Sequence, residues 1–223
     1  MKNGLVIFLG AFAVLAASWA VVLLPAHDQL THLAQYHDPA DDALYPAAMP
    51  GQADRGRMVY QDLGCAACHT QQVRRDGFGG DIARKWGERQ SVARDYIRDR
   101  TVFLGSVRYG PDLRNVGKRI PEAEYLYKLL CTPEALLGGT AYAHGMPSYR
   151  FLFVERPLIP GQGESPDAVH LAAWAAAPAG HELVPSERAK ELVAYLLSLK
   201  DTYEYPEARA FVEDSKKEGE AGK

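Results

Sequence analysis

The run Cys65-Ala66-Ala67-Cys68-His69 constrains this chain more than any other stretch of its sequence. Cys-x-x-Cys-His is the attachment signature of a c-type haem. Residues three apart share a helix face, so on one helical turn the sulfurs of Cys65 and Cys68 point the same way. They can then add across the two vinyl groups of a single porphyrin. His69 follows directly and falls beneath the iron as its proximal ligand. Two other uses of such a run fit less well. A zinc site needs four ligands, usually from a second Cys or His pair, and the chain's third and last cysteine, Cys131, stands alone. A thioredoxin-like redox pair opens a helix after a strand, and nothing strand-like precedes Cys65.

The chain has 223 residues, enough for one membrane anchor and one ordinary domain. Its net charge of −3 gives no nucleic-acid footprint. With two cysteines assigned to haem there is no disulfide framework, and Cys131, inside Tyr125-Leu126-Tyr127-Lys128-Leu129-Leu130-Cys131, reads as a small buried hydrophobe. Leu5 to Leu24 is apolar apart from Gly10 and Ser18. As a helix it spans about 30 Å, the thickness of a bilayer core. The rival is a cleaved signal peptide, with Lys2 as a weak positive start and Ser18-Trp19-Ala20 as a small-x-small cleavage site. The apolar run continues past that site, which favours an uncleaved anchor over residues 1–26. Thioether attachment implies an exported domain. That places the haem on the periplasmic side of a bacterial inner membrane, with a single pass and lipid around the anchor.

Residues 27–52 read as a linker, with Pro39, Pro46 and Pro50 among Asp, Ala and His. The five-residue spacing of His27, His32 and His37 holds no helix face, so they read as exposed or interfacial rather than metal-binding. A haem c domain is expected over 53–203. Its first helix is Ala53–Leu63, with Asp54 as N-cap and Val59, Tyr60 and Leu63 as the apolar stripe. Residues 73–107 are charged and rich in arginine; a helix over Glu88–Arg100 and a partner surface are both candidates there, beside a solvated loop. Pro121–Leu130 reads as a helix with proline in its first turn. A Pro/Gly-rich insertion occupies 155–185. Ser186–Lys200 is the best helix in the chain, capped by Ser186, with Leu192, Val193, Leu196, Leu197 and Leu199 at helical spacing. A polar tail follows over 204–223, and its last stretch, Glu213–Lys223, carries the composition of a disordered segment. The expected fold is all-α, an N-terminal transmembrane helix plus a class I-like cytochrome c domain. Its first and last helices cross where Gly56 permits close approach, with Tyr60 and Tyr195 beside the crossing.

An electron carrier needs a sixth iron ligand. Of the four methionines, Met1 is in the anchor, Met49 in the linker and Met58 only seven residues before Cys65. Met146 lies in Gly145-Met146-Pro147-Ser148-Tyr149, where proline stiffens the loop. Met146 is therefore the candidate, and His/Met ligation gives a high potential; His144 is the alternative. A proximal histidine usually hands its other ring proton to a fixed acceptor, and the carbonyl of Pro111 in Gly110-Pro111-Asp112-Leu113 suits that role. Arg108 and Tyr109 are either propionate partners or surface residues.

Four segments, in this order, resemble subunit II, the mono-haem subunit, of cbb3-type cytochrome c oxidases. They are Gly56-Arg57-Met58-Val59-Tyr60 leading to GCAACHTQQVRR (Gly64 to Arg75), WGERQSVARDYIRDR (Trp86 to Arg100), SVRYGPDLRNVGKR (Ser106 to Arg119) and GMPSY (Gly145 to Tyr149). The haem motif is common to every c-type cytochrome; the last three segments are more specific. The resemblance runs from about Leu5 to Leu152 and does not cover Gly161 to Glu182. It implies one covalent haem c on Cys65 and Cys68, with His69 and Met146 as iron ligands and Pro111 and Arg108 in the haem-supporting segment. It also implies two partners: a large multi-helix haem–copper catalytic subunit that accepts the electrons, and another c-type cytochrome that donates them. The family's structural calcium makes Ser91 a candidate contact. Val102-Phe103-Leu104-Gly105-Ser106 departs from the family's Trp-Gly-Ser, so the approach between His69 and Arg108 is expected to be rebuilt.

On this reading the chain is an electron-transfer subunit of an oxidoreductase and is not catalytic alone. The nearest rival is the cytochrome subunit of a nitric oxide reductase. A free-standing anchored shuttle and a haem enzyme or gas sensor with an open distal position are the others.

Overall fold

The computed structural model describes residues 3–137, 145–201 and 203–205. Two compact units are present: Met1–Ala47 with Val92–Asp99, and Ala48–Ser91 with Arg100–Lys223. In the first, helix α1 runs Gly4–Thr31. It is long and apolar enough to cross a membrane, with a mean hydropathy of 2.5 over its most apolar window and no side chain buried within the protein. It carries Pro25 inside and continues past the expected end of the anchor. Part of the expected linker is also ordered: β1 (Tyr36–Asp38) pairs antiparallel with β2 (Ala43–Tyr45), Tyr36 opposite Tyr45. Asp42 turns the hairpin at φ 57°, a left-handed conformation that Asp tolerates better than most residues. The Asp42 carboxylate meets His37 Nε2 at 2.7 Å. The stretch 92–99 contributes only a short 3-10 turn, Ala93–Tyr96, where a helix over Glu88–Arg100 was a candidate. Arg94 of that turn donates to the Ala34 carbonyl at 2.7 Å.

The second unit is built on two crossed helices, α2 (Gly51–Asp62) and the last helix among the described residues, Glu187–Ser198. Ala53, Gly56, Val59 and Tyr60 form the buried stripe of α2. A methyl group on Gly56 would stand 1.8 Å from the Glu191 carbonyl oxygen, so the two backbones touch there and only glycine fits. Tyr60 and Tyr195 meet beside the crossing, edge to face, with centroids 5.3 Å apart. Such a pair contributes about 1 kcal/mol beyond its burial. Asp54 is not the N-cap. Pro50 holds that position, and Asp54 sits in the first turn, where it pairs with the buried Arg57 at 3.1 Å and favours the helix dipole.

Three further helices close the core: α3 (Val116–Arg119), α4 (Ala123–Cys131) and α5 (Pro133–Leu137). Leu126, Leu130 and Cys131 of α4 join Leu192, Val193 and Leu196 of the last helix in one apolar cluster. Gly117 of α3 donates its N–H to the Leu199 carbonyl at 3.0 Å, and a side chain there would strike Leu197.

The domain is mostly helical rather than all-α. β3 (Phe153–Pro157) pairs antiparallel with β4 (His181–Pro185), Glu155 opposite Leu183. The expected insertion is thus the long connection of a hairpin. Five-residue strands interrupted by charge carry little periodic signal, and their pairing is non-local. Glu182 anchors the connection: its carboxylate accepts from the Ser165 N–H and hydroxyl, both at 2.6 Å, and from Arg156 at 2.8 Å. These bonds hold its carboxyl down to about 2. The last helix, α6, then starts on Ser186, whose hydroxyl accepts from the Ala189 N–H at 3.3 Å.

Candidate functional site

Helix α2 ends at Gly64, whose φ of 69° turns the chain into a 3-10 turn over Cys65–Ala67. Cys68 and His69 both donate their N–H to the Cys65 carbonyl, at 3.2 and 3.0 Å. The two cysteines and the histidine therefore share one tight turn. Both thiols are free, and burial pushes the Cys65 thiol up to about 11.

His69 is fixed from one side. Its Nδ1 lies 2.8 Å from the Pro111 carbonyl oxygen. A carbonyl only accepts, so Nδ1 carries the proton and Nε2 keeps the lone pair that binds metal. Burial holds the imidazole below the ordinary histidine value, which favours the neutral, ligating form. Gly110 lies flat against the ring: a methyl group there would stand 2.2 Å from His69 Cε1. The Gly110-Pro111 pair therefore provides both a close backbone approach and a fixed acceptor. Gly110 donates to the Cys68 carbonyl at 3.1 Å and Leu113 to the Thr70 carbonyl at 2.8 Å, so the two loops run side by side. Gly105, at φ 72°, packs against the His69 carbonyl, and the Gln71 N–H reaches the Leu104 carbonyl. The departing segment Val102–Ser106 thus closes directly on the haem loop.

Arg108 lies in the same assembly. Its side chain is 14 % exposed and donates to Thr70 Oγ1 at 2.9 Å, Asp81 Oδ1 at 2.5 Å and the Gln72 carbonyl at 2.7 Å. Tyr109 is exposed. Ser91 accepts the Val73 N–H on its hydroxyl at 3.0 Å.

The Met146 segment reaches the site from α4. Tyr149 donates its N–H to the Leu130 carbonyl at 2.8 Å, and the Ser148 hydroxyl donates to the Cys131 carbonyl at 2.6 Å. The Tyr149 hydroxyl and the Cys65 thiol are close neighbours. Met146 is half-buried and packs on the same apolar cluster as Cys65, and Met49 does so too, whereas Met58 is exposed. His144 lies outside the described residues. Sequence reasoning missed Asp81, which carries no motif of its own, and met Thr70 and Asp112 only inside longer segments. Gly110 and Tyr149 were visible only as members of longer segments.

These residues fit a c-type haem. Two thiols and a spared imidazole nitrogen share one turn, a glycine leaves room for the ring, and half-buried apolar side chains, Phe103, Met146 and Leu171 among them, lie against the core that carries Cys65. Together with the apolar helix α1, a site of this kind belongs to the class of membrane-anchored electron carriers. Residues 46–162 match the family model described as cytochrome C oxidase, mono-heme subunit/FixO, and the chain belongs to that family. Comparison with the curated proteins finds no match.

Proposed function

We propose that this chain is subunit II of a cbb3-type haem–copper oxidase, a mono-haem c subunit that carries electrons to the catalytic subunit and performs no bond chemistry of its own. The family match supports the reading, and the observation that carries it is the His69–Pro111 hydrogen bond within the Cys65–His69 turn. When bound, the haem supplies reversible one-electron chemistry at its iron. Cys65 and Cys68 would hold it covalently, with His69 and Met146 as its iron ligands. Residues 53–203 form a class I-like cytochrome c domain held on the periplasmic face of the inner membrane by the anchor at 1–26, followed by a polar tail from 204. A second c-type cytochrome donates the electrons. Ser91 is a candidate contact of a structural calcium shared with the large subunit.

The test is purification through this chain in mild detergent, with haem spectra and turnover of oxygen and nitric oxide on the product. Co-purified b-type haem with rapid oxygen uptake is expected. Nitric oxide turnover alone would move the chain to a reductase, and haem c without a partner would make it an anchored shuttle.

A further inference from the structure

We infer that Arg108, Thr70, Asp112 and Asp81 form a buried ionic clamp that positions His69 as an iron ligand. Asp81 and Asp112 are fully buried. A buried carboxylate is costly unless it is paired and hydrogen-bonded, and both are. Asp112 Oδ2 accepts from the Thr70 hydroxyl at 2.6 Å and the Gln72 N–H at 2.8 Å, while its Oδ1 accepts from the Arg114 N–H at 2.8 Å. Asp81 Oδ2 accepts from the Arg74 N–H at 2.7 Å, and its Oδ1 holds Arg108. Arg108 is therefore the cation between two buried anions, with the Trp86 ring 5.5 Å from its guanidinium carbon.

The order of the contacts ties this network to the ligand. Thr70 follows His69, and Asp112 follows Pro111. The bond His69 Nδ1–H to Pro111 O and the bond Thr70 O–H to Asp112 are thus two consecutive rungs between the same two loops, at 2.8 and 2.6 Å. The second rung is directional. Arg108 Nε donates to Thr70 Oγ1, which leaves the Thr70 proton to point at Asp112. Arg119 donates to the Asp112 carbonyl and so holds the next peptide along the chain from Pro111. The acceptor of the His69 proton is consequently followed directly by a residue held through both its side chain and its carbonyl, by groups that do not touch the imidazole. Such an acceptor raises the donor strength of the ring toward a metal. Arg108, Thr70 and Asp112 act through Pro111 and are positioning residues.

This inference rests on the haem c reading, and the experiment separates the two. The full-length haem protein is prepared in detergent as wild type, Thr70→Val, Thr70→Ser and Arg108→Lys. Two quantities are read on each: solvent exchange of the His69 Nδ1 proton in the reduced state by NMR, and the haem reduction potential. Thr70→Val keeps the volume and β-branch but removes both hydroxyl contacts. It should speed the exchange at least tenfold and raise the potential, because a looser acceptor leaves the imidazole a poorer donor. Thr70→Ser should restore both values. Arg108→Lys keeps the charge and loses the planar fork, so it should also speed the exchange, and it serves alone if Thr70→Val does not fold. A Thr70→Val or Arg108→Lys protein that melts earlier but keeps wild-type exchange and potential would overturn the clamp. Wild-type protein without covalent haem would overturn the haem reading and this inference with it.

Discussion

The crossing of α2 and α6 is open to a quantitative test by Gly56→Ala. The added methyl would lie 1.8 Å from the Glu191 carbonyl oxygen, 2.4 Å from its carbon and 2.8 Å from Tyr195 Cβ. Comfortable carbon contacts begin near about 3.5 Å, so the helices must part by roughly 1.5 Å. Two of the three atoms are backbone, and no rotamer change relieves them. Overpacking of this kind costs about 1–3 kcal/mol, and a backbone collision belongs at the upper end. Alanine regains about 1 kcal/mol of helix propensity over glycine. The net loss is then about 2 kcal/mol, which for a chain of this size lowers the melting temperature by about 4–8 °C. The assay is thermal unfolding of the haem protein followed by circular dichroism. Gly51→Ala is the control, on the same helix but with no atom within 4 Å of the new methyl; it should melt at or slightly above wild type. A Gly56→Ala protein as stable as that control would refute the close crossing.

Three other outcomes are expected. Gly110→Ala places a methyl 2.2 Å from His69 Cε1 and should displace the imidazole, seen as loss of the low-spin spectrum; wild-type spectra and stability would show that the ring does not lie there. Met146→Ala should lower the haem potential and admit carbon monoxide, while an unaltered spectrum would assign the sixth ligand to another residue. Glu182 has a folded value of about 2, below the usual glutamate value. Its contribution to stability is therefore complete above about pH 4.5 and lost as pH falls toward about 2. Acid unfolding of Glu182→Gln should lack that component; identical acid profiles would contradict the Ser165–Arg156 cradle.

What the sequence made legible was local or strongly periodic. Cys65, Cys68 and His69 are neighbours in the chain, and their shared turn needs no tertiary information. The crossing was readable because Gly56 interrupts an apolar stripe on α2 and Ser186 caps a strongly amphipathic α6. Pro111 was readable because a proline carbonyl is a recognisable acceptor. The rest depends on partners far apart in sequence. Arg108 reads equally as a propionate partner or a surface arginine until Asp81 and Asp112 are brought to it from either side, and Thr70 looks like an ordinary loop residue. The β3–β4 pairing joins Phe153–Pro157 to His181–Pro185 across a long connection, and neither strand alternates cleanly. Asp54 was misplaced as a cap because its acid character suits both a cap and a first turn, and Pro50 decides between them.

The claim at the centre of this account is that Cys65 and Cys68 carry one haem covalently. The most direct measurement is the intact mass of the chain, together with its pyridine haemochrome spectrum, after expression with a haem c maturation system. The account predicts a mass increase of a single haem and the spectrum of a porphyrin with both vinyl groups saturated, both lost in Cys65→Ala/Cys68→Ala. A chain at its apo mass, or one whose haem is extracted by acid and solvent, would contradict it.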